Sequence, residues 1–122
     1  MASSTVASAP SSLDVLRARY ARRLPGRLDD LAGPVRGSVE LPLHVVWSGR
    51  RAYELEGARS RMSLYRTVLA EGQREDLEAF LNRELLVSQW PVLRTLVSRP
   101  LREAWEEAFP QLGPRSGGAR GA

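Results

Sequence analysis

Prolines and glycines interrupt this chain so often that its structural elements must be short. The sequence holds eight prolines and ten glycines in 122 residues, and the pairs Pro25-Gly26 and Gly33-Pro34 each break the structure before them. Proline removes a backbone donor, and glycine weakens the interior of a helix or strand. The chain must therefore fold from short segments that become stable by packing together, and its length allows one domain.

Most of these segments place apolar residues at helical spacing. The first such stripe predicts a helix that begins after Ser11 or Ser12 and ends before Pro25. Further stripes predict helices from residue 58 to 71, from 74 to 81, from 83 to 90 and from about 99 to 109. The residues Leu28-Asp29-Asp30-Leu31 predict one additional turn.

The ends of these helices have predicted signals of their own. Asn82 is the predicted N-cap of the fourth helix, and Ser98 with Pro100 predicts the start of the last one. Gly72 is predicted to end the second helix in a left-handed conformation, and Pro91 to end or kink the fourth.

The region between the first two helices has the alternation of a strand instead. Apolar residues at 39, 41, 43 and 45 alternate with Glu40, Pro42, His44 and Val46, and residues 52–56 alternate again. Pro42 favours an edge strand, and His44 is placed on the polar strand face. The predicted fold is mainly α, with four or five short helices and a β-hairpin at about 38–56 packed on one side. We expect one domain over residues 11–112, with disordered tails at 1–10 and 113–122.

The charge of the chain argues against a simple nucleic-acid interpretation. All 18 basic residues are arginine, and lysine and isoleucine are absent, which is typical of a GC-rich bacterial genome. The net charge is +4, but residues 40–112 carry ten arginines against eleven carboxylates. A duplex-binding domain normally concentrates positive charge on its folded face.

Few residues are suited to catalysis or to binding a metal ion. The chain has no cysteine and one histidine, and it lacks phosphate-loop and G-x-S-x-G motifs. Glu75, Asp76 and Glu78 lie beside Arg74, which we interpret as paired charge on an exposed helix face. We therefore expect no enzyme, no metal site and no cofactor. No apolar stretch suggests an export signal or a membrane span, so a cytoplasmic location is expected.

Two interpretations as a binding protein remain. Trp90 and Trp105 are expected in the core, whereas Trp47, beside Ser48-Gly49, is expected to be partly exposed. Arginine and aromatic residues dominate interface hot spots. The predicted partner-binding residues are Trp47, Arg50, Arg51, Tyr53, Arg59 and Arg66.

The alternative is a DNA-binding regulator that uses the helix before Pro25 or the region from Arg59 to Arg74. Residues 65–85 match a helix-turn-helix poorly, because Gln73 and Glu78 stand where apolar residues are usual. A structural domain of unknown pairing is the third interpretation.

One resemblance bears on these alternatives. The run LYRTVLAEG at 64–72, then Asp76, Leu77 and Leu81, Trp90-Pro91, and REAWEEAFP at 102–110 resemble small helical bacterial proteins encoded beside abortive-infection-type nucleotidyltransferase toxins. The resemblance covers residues 41–112 and implies an antitoxin-like partner that masks such a toxin. It implies no catalytic residue, and Thr67 stands here where an arginine often precedes V-L in those proteins.

Overall fold

A computed structural model describes residues 11–46 and 51–113 of the chain. These residues are 64% helical and form five α-helices and a two-stranded antiparallel hairpin, which confirms the predicted fold class. The elements are α1 (Ser12–Arg23), β1 (Ser38–Glu40), β2 (Ala52–Glu54), α2 (Ala58–Glu71), α3 (Arg74–Phe80), α4 (Arg83–Leu96) and α5 (Arg99–Ala108).

Short 3₁₀ turns at Leu28–Asp30 and Pro110–Leu112 complete the described elements, and the first of them was predicted. The predicted disordered tails, apart from Gly113, lie outside the described residues, as do Trp47 and Arg50.

Side-chain caps fix the start of three helices, as the sequence predicts. At Ser11, Asn82 and Ser98 the side-chain oxygen accepts a hydrogen bond from a first-turn backbone N–H, at 3.1, 3.0 and 3.4 Å respectively. Each cap satisfies a backbone donor that has no partner inside its helix. The local sequence is therefore sufficient to place these helix starts.

Two predictions of helix ends are wrong in part: Gly72 ends α2 but not in a left-handed conformation, and of the two alternatives for Pro91, a helix end or a kink, the end is wrong. Gly72 ends α2 with a φ of −81°, outside the left-handed region. Glycine is needed there for space, because a Cβ at this position would lie 2.8 Å from the Val68 carbonyl oxygen. Pro91 does not end α4, which continues to Leu96. Trp90 and Leu93 are buried on either side of it, and this packing offsets the missing hydrogen bond.

The hairpin is shorter than the alternating pattern predicts. Val39 pairs with Tyr53 in the antiparallel register, but β1 ends at Glu40. The backbone N–H groups of Val45 and Val46 donate to the Pro42 carbonyl at 3.0 and 3.2 Å, so these residues form a turn. Proline cannot donate a hydrogen bond to the ladder of a sheet. The chain therefore turns after Pro42, although the alternating pattern of the sequence continues to Val45.

The core lies where α2, α4 and α5 meet the inner side of the hairpin. Trp90 and Trp105 are each 1% exposed, and their ring centroids are 6.3 Å apart, which confirms their predicted place in the core. Helix α1 differs, since none of its residues is buried, although it packs closely along α5. The largest fully buried side chains also include Tyr65, Leu64, Leu69, Leu86, Leu93 and Leu101.

Candidate functional site

Helix α2 has a second face that the other described elements cover only in part. Its buried face consists of Leu64, Tyr65, Val68 and Leu69. A second stripe, with steps of three or four residues, lines open cavities instead. This stripe consists of Arg59, Met62, Ser63, Arg66, Thr67 and Ala70.

Two adjoining cavities follow this stripe. One has a volume of about 490 Å³ and lies between α2, the junction of α4 with α5, and the turn that carries Val45 and Val46. The other has a volume of about 380 Å³. Because both are lined by Arg66 and Leu96, they form one depression, which we call the α2 groove. Its main lining residues are Tyr20, Val45, Val46, Arg59, Met62, Arg66, Ala70, Leu96 and Val97.

A histidine–carboxylate contact anchors one wall of the groove. His44 Nε2 lies 2.9 Å from Asp76 Oδ1 and 3.0 Å from Oδ2, and Asp76 Oδ2 also accepts the Gln73 N–H at 2.9 Å. Since a carboxylate only accepts, the histidine N–H is the donor. This contact ties the turn with Val45 and Val46 to the first turn of α3.

The contact corrects two sequence-based interpretations. His44 does not lie on the polar face of a strand. It lies in a turn and contacts Asp76. Asp76 is 7% exposed and is not part of an exposed charged face. Arg74 donates to the Arg22 carbonyl at 3.1 Å, and within residues 11–46 and 51–113 it forms no ion pair with Glu75 or Glu78. The capping role of Asp76, together with its distant partner, explains its burial.

Arg59 and Arg66 give the groove its positive charge. Both are exposed, and neither forms a hydrogen bond or ion pair with the residues that the structure describes. Glu71 lines one end of the groove, and among the described residues that line the groove it is the single acidic one. Near the same end, the Arg23 guanidinium lies 5.9 Å from the centroid of the Tyr20 ring. The groove thus combines an apolar surface with two available guanidinium groups, which bind carboxylates in bidentate geometry.

The structure brings two of the predicted partner-binding residues together, since Arg59 and Arg66 line the same cavity. Arg51 is used inside the fold: its Nε donates to the Leu41 carbonyl at 3.1 Å, and its Nη2 lies 3.4 Å from Glu40 Oε2. Tyr53 is 4% exposed and lies in the core, so its side chain does not line a surface. The two others, Trp47 and Arg50, lie outside the described residues.

Sequence reasoning missed the apolar part of the groove. Leu96 lines both cavities and is 44% exposed, whereas Val92, one turn earlier on α4, is 53% exposed and lies outside the groove lining. An apolar pair spaced by four residues, in addition to a complete buried stripe, indicates a second contact face. That signal was available in the sequence and points to Leu96.

No group of three or more His, Asp or Glu side chains in the described ranges could hold a metal ion. A helix long and apolar enough to cross a membrane is likewise not found in this part of the chain. Comparisons of the chain with protein-family models, curated proteins and solved structures give no match.

Proposed function

We propose that this protein is a non-catalytic interaction module that binds a partner protein through the α2 groove. The supporting observation is the arrangement of Arg59 and Arg66 around the apolar side chains of Met62 and Leu96. Arginine and large apolar residues contribute most of the binding energy in protein interfaces. Both arginines are exposed and unpaired in the described structure, so a partner can bind them without breaking an existing contact.

The shape of the groove favours a macromolecule over a small ligand. The two cavities follow most of α2, whose 14 residues span about 21 Å. A small-molecule site normally encloses its ligand in a concave pocket with converging polar groups. Here the polar side chains are distributed along the helix, and Ser98 Oγ is already occupied by the α5 cap.

The resemblance of residues 64–72 and 102–110 supports a specific partner. Under this proposal the partner is a nucleotidyltransferase toxin, and the protein acts as its antitoxin by covering the toxin surface. We expect a gene beside this one to encode such a nucleotidyltransferase, and the test is to express that enzyme alone and together with this chain. We expect growth arrest with the toxin alone, and restored growth and co-purification when both are present.

A charge-reversal variant connects this test to the groove. Arg66→Glu should abolish both co-purification and rescue, whereas Arg19→Glu, an exposed position on α1, should leave both intact. If the wild-type chain neither rescues growth nor co-purifies, the antitoxin assignment is wrong. If Arg66→Glu still rescues, the toxin binds elsewhere on the molecule.

DNA is the second candidate partner, supported by helix α1. Arg19 and Arg22 are exposed there, with no ion pair to the described residues. Phosphate contacts release counterions, so DNA binding through these arginines would weaken steeply as salt increases. A gel-shift titration over a salt series, with Arg19→Glu/Arg22→Glu as the comparison, tests this candidate.

A further inference from the structure

We infer that the segment occupying the α2 groove is an acidic amphipathic helix of the partner protein, lying along α2. The inference rests on the proposed interaction function and adds the chemistry of the partner. Its basis is the length of the groove, the fact that the backbone amides of its turn are already hydrogen-bonded, and the spacing of its two unpaired arginines.

The walls of the groove favour a helix over an extended strand. The groove is formed by side chains of α2, by the α4–α5 junction and by a turn whose amides are already bonded to the Pro42 carbonyl. A bound strand gains its affinity from an open sheet edge, and the groove lining contains none of β1 or β2. A helix instead inserts side chains at positions i, i+3, i+4 and i+7, which suits a groove between side chains.

The arginine spacing specifies where the carboxylates must be. Arg59 and Arg66 are seven residues apart on one face of α2, which is about 10 Å along the helix axis. Met62 lies between them, and Leu96 lines both cavities. A partner helix therefore needs Asp or Glu at two positions seven residues apart, with apolar residues three and four positions after the first. Glu71 at the far end disfavours a further acidic residue there.

The charge of the undescribed residues bears on the source of these carboxylates. Residues 1–10, 47–50 and 114–122 contain no Asp or Glu, and they add Arg50, Arg115 and Arg120. These segments therefore offer Arg59 and Arg66 no acidic side chain. Charge complementarity points to an acidic segment of another protein.

The test is a selection from a phage-displayed library of helical peptides of about 14 residues, randomised on one face. The full chain is the target, and Arg59→Glu/Arg66→Glu is the charge-reversed target. We expect wild type to enrich peptides with Asp or Glu seven residues apart around an apolar pair. We expect the reversed target to enrich Lys or Arg at the same positions. Arg19→Glu/Arg36→Glu, two exposed arginines outside the groove lining, should select the same peptides as wild type.

The most enriched peptide then gives a quantitative readout by fluorescence anisotropy. We expect at least about tenfold weaker binding to Arg59→Glu/Arg66→Glu, with circular dichroism showing that this variant is folded. Enrichment without acidic bias, identical peptides from both targets, or equal affinity for both would overturn the inference. So would sedimentation showing a dimer that Arg66→Glu dissolves, or groove-dependent binding of duplex DNA. Co-purification with the toxin is measured separately, so the proposed function can stand if this inference fails.

Discussion

At the scale of single residues, Glu106 is the carboxylate of α5 that is most shielded from solvent. It accepts hydrogen bonds from Trp90 Nε1 at 2.9 Å and from Arg94 Nε at 2.6 Å, and thereby joins α5 to α4. Its side chain is 15% exposed, and that of Arg94 is 29% exposed. Charge-assisted hydrogen bonds shielded from water are about twice as strong as neutral ones. Glu103 on the same helix bonds Arg99 at 2.7 Å, but in solvent.

Glu106→Gln should therefore lower the free energy of unfolding by about 1–3 kcal/mol. The neutral amide keeps the shape of the side chain but leaves the half-buried Arg94 cation without a counter-charge. Glu103→Gln is the matched control and should change stability much less, because its ion pairs are exposed to solvent. Urea unfolding of the two variants measures the difference, and equal losses would show that the shielding of Glu106 has no energetic effect.

The same carboxylate should make stability depend on acid pH. Burial of Glu106 opposes its ionisation, but the hydrogen bonds from Arg94 and Trp90 outweigh this effect and lower its pKa below the ordinary value of 4.5. The unfolded chain then takes up a proton at higher pH than the folded chain does. The stabilisation is complete above the unfolded pKa and is lost as pH falls through the folded one.

We expect wild type to lose more stability than Glu106→Gln when the pH is lowered from about 5 to about 3. Thermal unfolding over this pH series provides the measurement. Parallel curves for the two proteins would mean that Glu106 titrates alike in the folded and unfolded chains.

At the scale of elements, Gly33 permits the segment after α1 to cross the junction of α3 and α4. The N–H groups of Ala32 and Gly33 donate to the carbonyls of Glu78 and Leu81 at 2.8 and 2.7 Å. A Cβ at position 33 would lie 2.4 Å from the carbonyl carbon of Phe80. Because the atom in the way belongs to the backbone, no side-chain rotation can relieve the clash.

Gly33→Ala should lower the free energy of unfolding by about 2–3 kcal/mol, as other overpacking substitutions do. Gly26→Ala is the control, since its Cβ would lie 3.5 Å from the nearest atom, Asp30 Oδ2. Chemical denaturation of both variants tests the prediction. If Gly33→Ala lowers the free energy of unfolding no more than Gly26→Ala does, the crossing segment can move away from the helices.

Local signals were sufficient to predict some elements, and distant contacts decided the others. Ser11, Asn82 and Ser98 act on amides within three residues, so their sequence positions revealed the helix starts. His44 and Asp76 are 32 residues apart, and neither residue alone predicts that they meet. In the groove, Arg59 and Arg66 follow from the sequence only as arginines, a residue type common in interface hot spots. Their apolar neighbour Leu96 comes from another helix, so only the packing of α4 against α2 brings them together.

At the scale of the whole molecule, α1 is attached differently from the other long helices. It contributes no buried residue, and its Arg17 lies 3.3 Å from Glu107 and 3.9 Å from Glu103 in exposed ion pairs on α5. Tyr20 is half-buried against the core and also lines the α2 groove. Exposed ion pairs contribute at most about 1 kcal/mol each. Helix α1 therefore packs closely along α5 but places no fully buried side chain in the core, and it forms one end of the proposed binding surface.

This arrangement predicts that α1 opens without unfolding of the rest of the chain. Amide hydrogen exchange should give α1 residues a much lower opening free energy than the α4 residues Leu86, Trp90 and Leu93, which should exchange only by global unfolding. Raising the salt concentration to about 1 M should accelerate exchange in α1 further, because it screens the Arg17 ion pairs. Charged groups on the core helices are more shielded from solvent, so added salt should change amide exchange in α4 less. Equal opening free energies in α1 and α4 would mean that the packing of α1 along α5 is enough to make it cooperative with the core. A peptide that is bound in the α2 groove and contacts Tyr20 should slow α1 exchange more than α4 exchange if α1 opens independently, and should slow both alike if α1 unfolds only with the core.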